Sequence, residues 1–268
     1  MLTQGTANAG DSIFYDYRIT HSLRFDGASY MSKNLPQNNV NNSFTFSAWV
    51  KKASVSETLA ILGATYTQSV SGSTRYRVTF FGFSGTDDTV DYWQHNNDSG
   101  YNFNISSTAL TRDTNNWYHI VLSHNRTNNT STVYVNSRST GYWTNTSTTS
   151  SYQALNTNNT HYIGCYVGNG GGGGYYGHFK GYMANLQFID GQALDPYFFG
   201  EMRNNIWMPY NAFTTANSNS VDAKSSNGNI AYDNYGDNGF HLLFDDPGHA
   251  TGFGKDSSGK WNHFIESP

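Results

Sequence analysis

A chain of 268 residues with a net charge of −4 and no basic run lacks the electrostatic footprint of a nucleic-acid binder. Only 13% of residues are charged and 16% are aromatic, while Gly, Asn, Ser and Thr fill much of the rest; this is poor helix material and good strand and turn material, so the chain reads as all-β. Its longest apolar runs are too short to cross a membrane, residues 1–20 lack the basic start and apolar core of a cleavable signal, and the single cysteine, Cys165, excludes an intrachain disulfide.

In chain order, residues 1–20 form a polar arm with an aromatic cluster at Phe14, Tyr15 and Tyr17. Leu23 and Phe25 alternate in a first strand that ends at an Asp26-Gly27 turn. Phe44, Phe46, Ala48 and Val50 share one strand face, with Trp49 on the other. A further strand pair is expected at Leu59–Ala64 and Tyr76–Phe83. The Asp-rich stretch Ser84–Asp98, with Trp93 inside it, reads as a loop. Trp117–Asn136 reads as a hairpin turning at Asn125–Asn129, and residues 137–151, around Tyr142 and Trp143, as an exposed loop. Tyr162–Val167 is a strand, with Cys165 as a small core residue, and the glycine-rich run Gly168–Gly177 follows as a flexible or closely packed loop.

Gly181–Leu194 is the most legible stretch. Tyr182, Ala184, Leu186 and Phe188 alternate with Met183, Asn185, Gln187 and Ile189, and Asp190-Gly191 is a turn. Apolar residues on both faces call for cover on both sides, hence a sandwich. One short helix is expected around Tyr197–Arg203, and one more strand at Gly239–Asp245. The division expected is an arm over 1–20, a jelly roll over 21–210 and an extension over 211–268 that packs on the sandwich.

The segments SLRFDGASYMS, FTFSAWVKK, NWYHIVLS, VYVN and GYMANLQFID, in that order, resemble a concanavalin A-like jelly roll of the laminin-G/pentraxin type, with two antiparallel sheets. FIDGQALDPYFFGE at 188–201, NIWMPYNAF at 205–213, DNGFHLLFDD at 237–246 and GKDSSGKWNHF at 254–264 are similar to tail-fibre or lectin-like structural proteins of marine and cyanobacterial bacteriophages. The resemblance covers roughly residues 21 to 264, and Asn185 stands where related jelly rolls often carry an acidic residue. It implies a virion component on the capsid or tail surface, present in many copies or as a homo-oligomer, that acts by contacting other virion proteins or host-surface glycans. A free-standing lectin is the alternative. A cementing role is expected to bury the arms and one sandwich face, and a receptor-binding role to leave a loop cluster open to solvent.

Glycan cleavage of the retaining kind needs two carboxylates about 5–5.5 Å apart. The glutamates, Glu57, Glu201 and Glu266, are far apart in sequence, so no enzyme is expected. His119 and His124 fall on opposite strand faces and read as solvated or capping residues, and Gly170–Gly174 lacks the Lys-Ser/Thr of a phosphate loop. The resemblance suggests calcium, to which Asp87, Asp88 and Asp91 could supply oxygens; turn stabilisation is the competing role. Trp93, Tyr101, Tyr142, Trp143, Tyr175 and Tyr176, expected outside the sheets, are the candidate contacts to a glycan or protein partner, because flat aromatic faces serve both.

Overall fold

A computed structural model describes residues 18–39, 42–70, 73–96, 100–144, 154–168, 173–210 and 235–267. The first half contributes β1 (Leu23–Asp26), β2 (Tyr30–Asn34), β3 (Phe44–Lys52), β4 (Leu59–Val70), β5 (Ser73–Phe83), β6 (Val90–Asn96), β7 (Gly100–Ser106), β8 (Tyr118–Asn125) and β9 (Thr130–Val135). The second contributes β10 (Arg138–Thr144), β11 (Thr160–Ile163), β12 (Tyr166–Val167), β13 (Tyr175–Tyr176), β14 (Lys180–Asp190), β15 (Gly200–Arg203), β16 (Ile206–Pro209), β17 (Phe240–Leu242) and β18 (Ile265–Ser267).

Two antiparallel sheets face each other. The first runs β1-β14-β3-β8-β9-β10, with β17 also on β14; the second runs β18-β2-β11-β4-β5-β6-β7. Between them lie Phe44, Phe46, Ala48, Val50, Ile120, Leu122, Leu186 and Phe188 of the first sheet and Leu62, Ala64, Phe81, Phe83, Val90 and Tyr92 of the second. The period-two pattern in β3, β8 and β14 built this interior.

The outside of the first sheet is covered as well. Val121, Ile189, Leu194, Phe198, Phe199 and Tyr235 make a second apolar cluster, with Tyr134 packed against it. This cover explains why β14 is buried on both faces. The edge of β14 is shared: β1 pairs with Lys180–Met183 and β17 with Leu186–Phe188. Between them the pairing with β3 shifts register, and Asn185 sits in the left-handed region at φ 49°. Its side-chain Oδ1 accepts from Nε2 of His241, 56 positions away on β17, at 2.6 Å, and Asn is among the residues that tolerate the left-handed backbone of a bulge.

Asp190 does more than turn the chain. Its Oδ1 accepts from Asn42 Nδ2 at 3.1 Å and Asn156 Nδ2 at 2.7 Å, and its Oδ2 from Asn39 Nδ2 at 2.5 Å and the Asn238 amide at 3.3 Å. Asn156 and Asn238 are themselves fully buried and bonded to each other at 2.9 Å. One carboxylate thus ties together connections from three distant parts of the chain.

Several expectations need correction. Ser84–Asp98 is not a loop throughout, because Val90–Asn96 is β6. Residues 137–151 are not an exposed loop throughout either, because Arg138–Thr144 is β10, entered by a tight turn at Asn136 and Ser137. In both, the polar positions belong to strands with one solvated side, and turn-forming Asn, Asp and Ser masked the alternation. The helix expected at Tyr197–Arg203 is a three-residue 3-10 turn, Pro196–Phe198, capped by Asp195 and followed by β15. The strand expected at Gly239–Asp245 is present as Phe240–Leu242. The Phe14, Tyr15 and Tyr17 cluster lies outside the described residues.

Candidate functional site: an aromatic sheet face

The outside of the second sheet gathers most of the exposed aromatic rings among the candidates. Its pairing register places one residue from each strand in a single row. Ile265 pairs with Ser32, Ser32 with Tyr162, Tyr162 with Gly63, Gly63 with Phe80, Phe80 with Trp93, and Trp93 with Asn104. The flanking residues Met31, Ile163, Leu62, Phe81, Tyr92 and Ile105 point into the core, so the row points out.

The β12–β13 ribbon lies on this row. At Gly63, an added Cβ would fall 2.5 Å from the Cys165 carbonyl oxygen and 2.8 Å from Tyr166 Cα, so only glycine lets the ribbon settle on β4. Tyr166 then meets Phe80 and Trp93 edge-on, each at 5.4 Å, while Trp93 stacks on Phe80 at 5.1 Å. Tyr176 leans over Tyr166 at 5.8 Å. On the next position, Tyr175 stacks on Tyr30 at 4.5 Å and meets Tyr162 at 6.0 Å. A Cβ on Gly168 would sit 2.4 Å from the Tyr176 ring, so part of the glycine run is close packing made for that ring. Tyr175 and Tyr176 remain 46% and 52% exposed, with rings held in place yet open to a ligand.

The structure therefore brings Trp93, Tyr175 and Tyr176 onto one surface, and adds Tyr30, Tyr162 and Tyr166, which the sequence reading passed over. It places none of the six candidates outside the sheets: Trp93 is in β6, Tyr101 in β7, Tyr142 and Trp143 in β10, and Tyr175 and Tyr176 in β13. Aromatic residues are strong strand formers, which is why these segments pair. Tyr142 is exposed on the first sheet, away from the aromatic face, and the side chains of Tyr101 and Trp143 lie outside the described ones. Two cavities, of about 540 and 440 Å³, open on the first sheet's side; Trp49, Trp117 and Met208 line one, and Tyr134, Asp195 and Phe198 the other. None of the candidate aromatics lines either cavity.

A second missed residue is Trp261, 77% exposed and at φ 62°, a left-handed conformation that costs a bulky side chain roughly 1–2 kcal/mol. Asp256 holds the backbone around it. Its carboxylate accepts from the amides of Ser258 at 2.8 Å and Asn262 at 2.9 Å, and from the His241 amide at 2.8 Å. The indole edge meets His263 at 5.8 Å.

The three aspartates do not converge on a calcium ion. Asp88 turns inward, where Oδ1 binds Lys52 Nζ at 2.9 Å and the Ser56 amide at 2.8 Å. Burial alone would push this carboxyl up, but Lys52, the Ser56 amide and Arg112 outweigh it and hold it below the ordinary range. Asp87 and Asp91 instead share the Thr89 hydroxyl at 2.8 and 2.9 Å. Among the described residues, no group of three or more His, Cys, Asp or Glu is placed to hold a metal ion. Chelator treatment followed by added calcium is therefore expected to leave the melting temperature unchanged; a rise on calcium addition would contradict this placement.

Other chemistry-bearing groups are buried or paired. Both His119 and His124 are fully buried, not solvated. His119 Nδ1 accepts from Trp207 Nε1 at 3.1 Å, and its Nε2 bonds Ser47 Oγ at 2.9 Å. Cys165 is buried, and burial pushes its thiol up to about 12, so it stays protonated. Glu57 pairs with Lys180 at 2.8 Å, Glu201 with Arg203 at 2.6 Å, and Glu266 accepts from the Phe253 amide at 2.6 Å.

Two facing antiparallel sheets with an open aromatic surface define a lectin-like jelly roll. Residues 25–196, more than half the chain, match the laminin G type profile of the concanavalin A-like lectin/glucanases superfamily, and the chain belongs to that family. Among solved structures, a Bacteroides ovatus protein described as carbohydrate-binding is similar, at 16% identity and a TM-score of 0.56 over 92% of this chain. The chain spans 58% of that protein's length. Domain 4 of an extracellular arabinanase from Geobacillus stearothermophilus, solved with arabinotriose, gives 18% identity and a TM-score of 0.47 over 69% of this chain and 77% of that one. A heptameric pentraxin from Limulus polyphemus gives 16% identity and a TM-score of 0.41 over 65% of this chain and 76% of that one. These identities speak for the fold alone. No curated protein matches the sequence.

Proposed function

We propose that this chain is a non-catalytic glycan-binding domain whose ligand lies on the outer face of the second sheet. The observation that carries this is the packed array of Trp93, Tyr166, Tyr176, Tyr175, Tyr30 and Tyr162, which keeps aromatic surface open on a rigid floor. A sugar ring offers its C–H face to such rings and its hydroxyls to the polar groups beside them. Membership in a family of lectins and glucanases supports the reading. So does the dispersal of the glutamates, each engaged with a different local partner.

Screening against a glycan array is the test. Trp93→Ala with Tyr176→Ala is expected to lower affinity at least tenfold, on the scale of losing buried aromatic contacts, with the circular dichroism spectrum unchanged. Undiminished binding by that variant would remove the aromatic face from the function.

A finer reading concerns address. The motifs at 188–201, 205–213, 237–246 and 254–264 support a protein carried in many copies on a phage capsid or tail, where glycan binding would serve host attachment. Immunogold labelling of purified virions tests it. Unlabelled particles would leave a free-standing lectin as the surviving account.

A further inference from the structure

The cover on the first sheet is incomplete. It leaves a cavity of about 440 Å³ between the 192–198 segment and strands β8 and β9. That volume falls within the range of about 300–1,000 Å³ usual for small-molecule sites. Strand register builds the floor. Thr45 of β3 pairs with Ser123 of β8, Ser123 with Thr132 of β9, and Thr132 with Tyr142 of β10. Leu122 and Val133 beside them point into the core, so this row points out. Ser123 and Thr132 line the cavity, and Tyr142, 64% exposed, stands one strand beyond it. The wall is fastened. The Thr45 hydroxyl donates to the Gln192 carbonyl and accepts from the Leu194 amide, each at 2.8 Å, and Asp195 caps the turn Pro196–Phe198.

The polar groups around this cavity keep bonding capacity for a ligand. Ser123 is only 9% exposed, yet among the described residues its hydroxyl has no hydrogen-bond partner. Asn125 Oδ1 accepts from the amides of Thr127 at 2.9 Å and Asn128 at 3.4 Å, which fixes the side chain and leaves its Nδ2 as a donor. Asp195 Oδ1 accepts from the Tyr197 amide at 2.8 Å, which leaves Oδ2 as an acceptor. Burial and the nearby Asp195 carboxylate hold the Tyr134 hydroxyl above its ordinary range despite a bond from Thr132, so it stays protonated.

That set of groups selects a ligand class. An apolar guest would strip water from them and return no bonds. An acidic guest would meet the Asp195 carboxylate with no Lys, Arg or His among the described lining residues. A neutral sugar offers neighbouring hydroxyls that both donate and accept, and a C–H face that suits the Tyr142 ring. We propose that the cavity binds one neutral pyranose ring, its hydroxyls held by Ser123, Asn125, Tyr134 and Asp195 and its C–H face against Tyr142. This is a second glycan site, on the sheet opposite the aromatic face, and it does not depend on that face.

The test follows the amide NMR shifts of the full chain as methyl pyranosides of glucose, galactose and mannose are added. At least one sugar is expected to shift residues 123–134 and 192–198 and to saturate in the millimolar range. Ser123→Ala is expected to weaken that sugar about three- to tenfold, the worth of one hydrogen bond. Its melting temperature should be unchanged or higher, because the hydroxyl removed has no partner among the described residues; a purely structural role would lower it. Tyr142→Ala is expected to weaken the same sugar by a similar factor. No shift in those segments with any of the three sugars would overturn the site, and so would an affinity indifferent to both substitutions. Shifts confined to Trp93, Tyr175 and Tyr176 would overturn it while upholding the aromatic face. Shifts at the cavity that both substitutions weaken would uphold it whatever the glycan array returns for that face. Tighter binding of glucuronic acid than of glucose would overturn the neutral assignment.

Discussion

Acidification from pH 6.5 to about 4 is expected to unfold the protein. Burial holds His119 at about 3 and His124, His161 and His241 at about 4, well below the ordinary imidazole value of 6.5. The bonds they make reinforce the neutral form. His119 Nδ1 accepts from Trp207, and His161 Nε2 accepts from the Asn156 amide at 3.2 Å while its Nδ1–H donates to the Asn159 carbonyl at 2.9 Å. A second proton on either ring removes an acceptor. The unfolded chain takes up protons below 6.5 that the folded chain refuses, so this stability is complete above pH 6.5 and drains as the pH falls towards the folded values. Each group costs about 1.4 kcal/mol per pH unit in that window. By pH 5.5 the four together remove about 5 kcal/mol, comparable to the whole stability of many domains. Asp91, whose carboxyl burial holds above its usual range, works in the opposite direction, but it is one group against four. Urea titrations at pH 7.5, 6.5, 5.5 and 5.0 measure the slope, and a flat profile over that range would show the histidines to be exposed or already paired with acids. His161→Gln, which keeps a polar group at the site without a titrating one, is expected to shallow the slope by about one proton.

Asp190→Ala is the substitution expected to cost most. It removes an acceptor from the side-chain amides of Asn39, Asn42 and Asn156 and from the Asn238 amide, and it opens space where Asp190 is 4% exposed. Hydrogen bonds to a charged acceptor each contribute about 1.5–3 kcal/mol, and orphaned buried donors keep their desolvation cost. A loss of roughly 4–6 kcal/mol follows, after allowing that the exposed side of the network regains water. Asp190→Asn should be no gentler than about half of that, because it presents an amide donor to amide donors. Urea midpoints at pH 7.5 read the effect. A loss under about 1 kcal/mol in the alanine variant would mean that the segments holding Asn39, Asn42, Asn156 and Asn238 keep their places without the carboxylate.

The two substitutions probe opposite sides of what a sequence displays. The core of β3, β8 and β14 was legible because burial on a strand imposes a period of two, and Phe44, Phe46, Leu186 and Phe188 carry it openly. Trp93 was legible as a notable aromatic but not as a strand residue, since the neighbouring Asp, Asn and Ser are the same residues that make turns. Asp190 was legible as a turn residue and nothing more. Its partners lie 34 to 151 positions away, and no local pattern records a hydrogen bond at that separation.

The amino-acid order by itself determined the class of this protein: an all-β chain, poor in charge, with alternating segments that can only close as two facing sheets. That much is local, because a strand's period is a property of its own residues. Tertiary structure alone decided what covers each outer face. Phe199, Trp207 and Tyr235 fold back over the first sheet, and the last residues add β18 to the second. Only strand register, which long-range pairing sets, places Trp93, Tyr162 and Ile265 in one row.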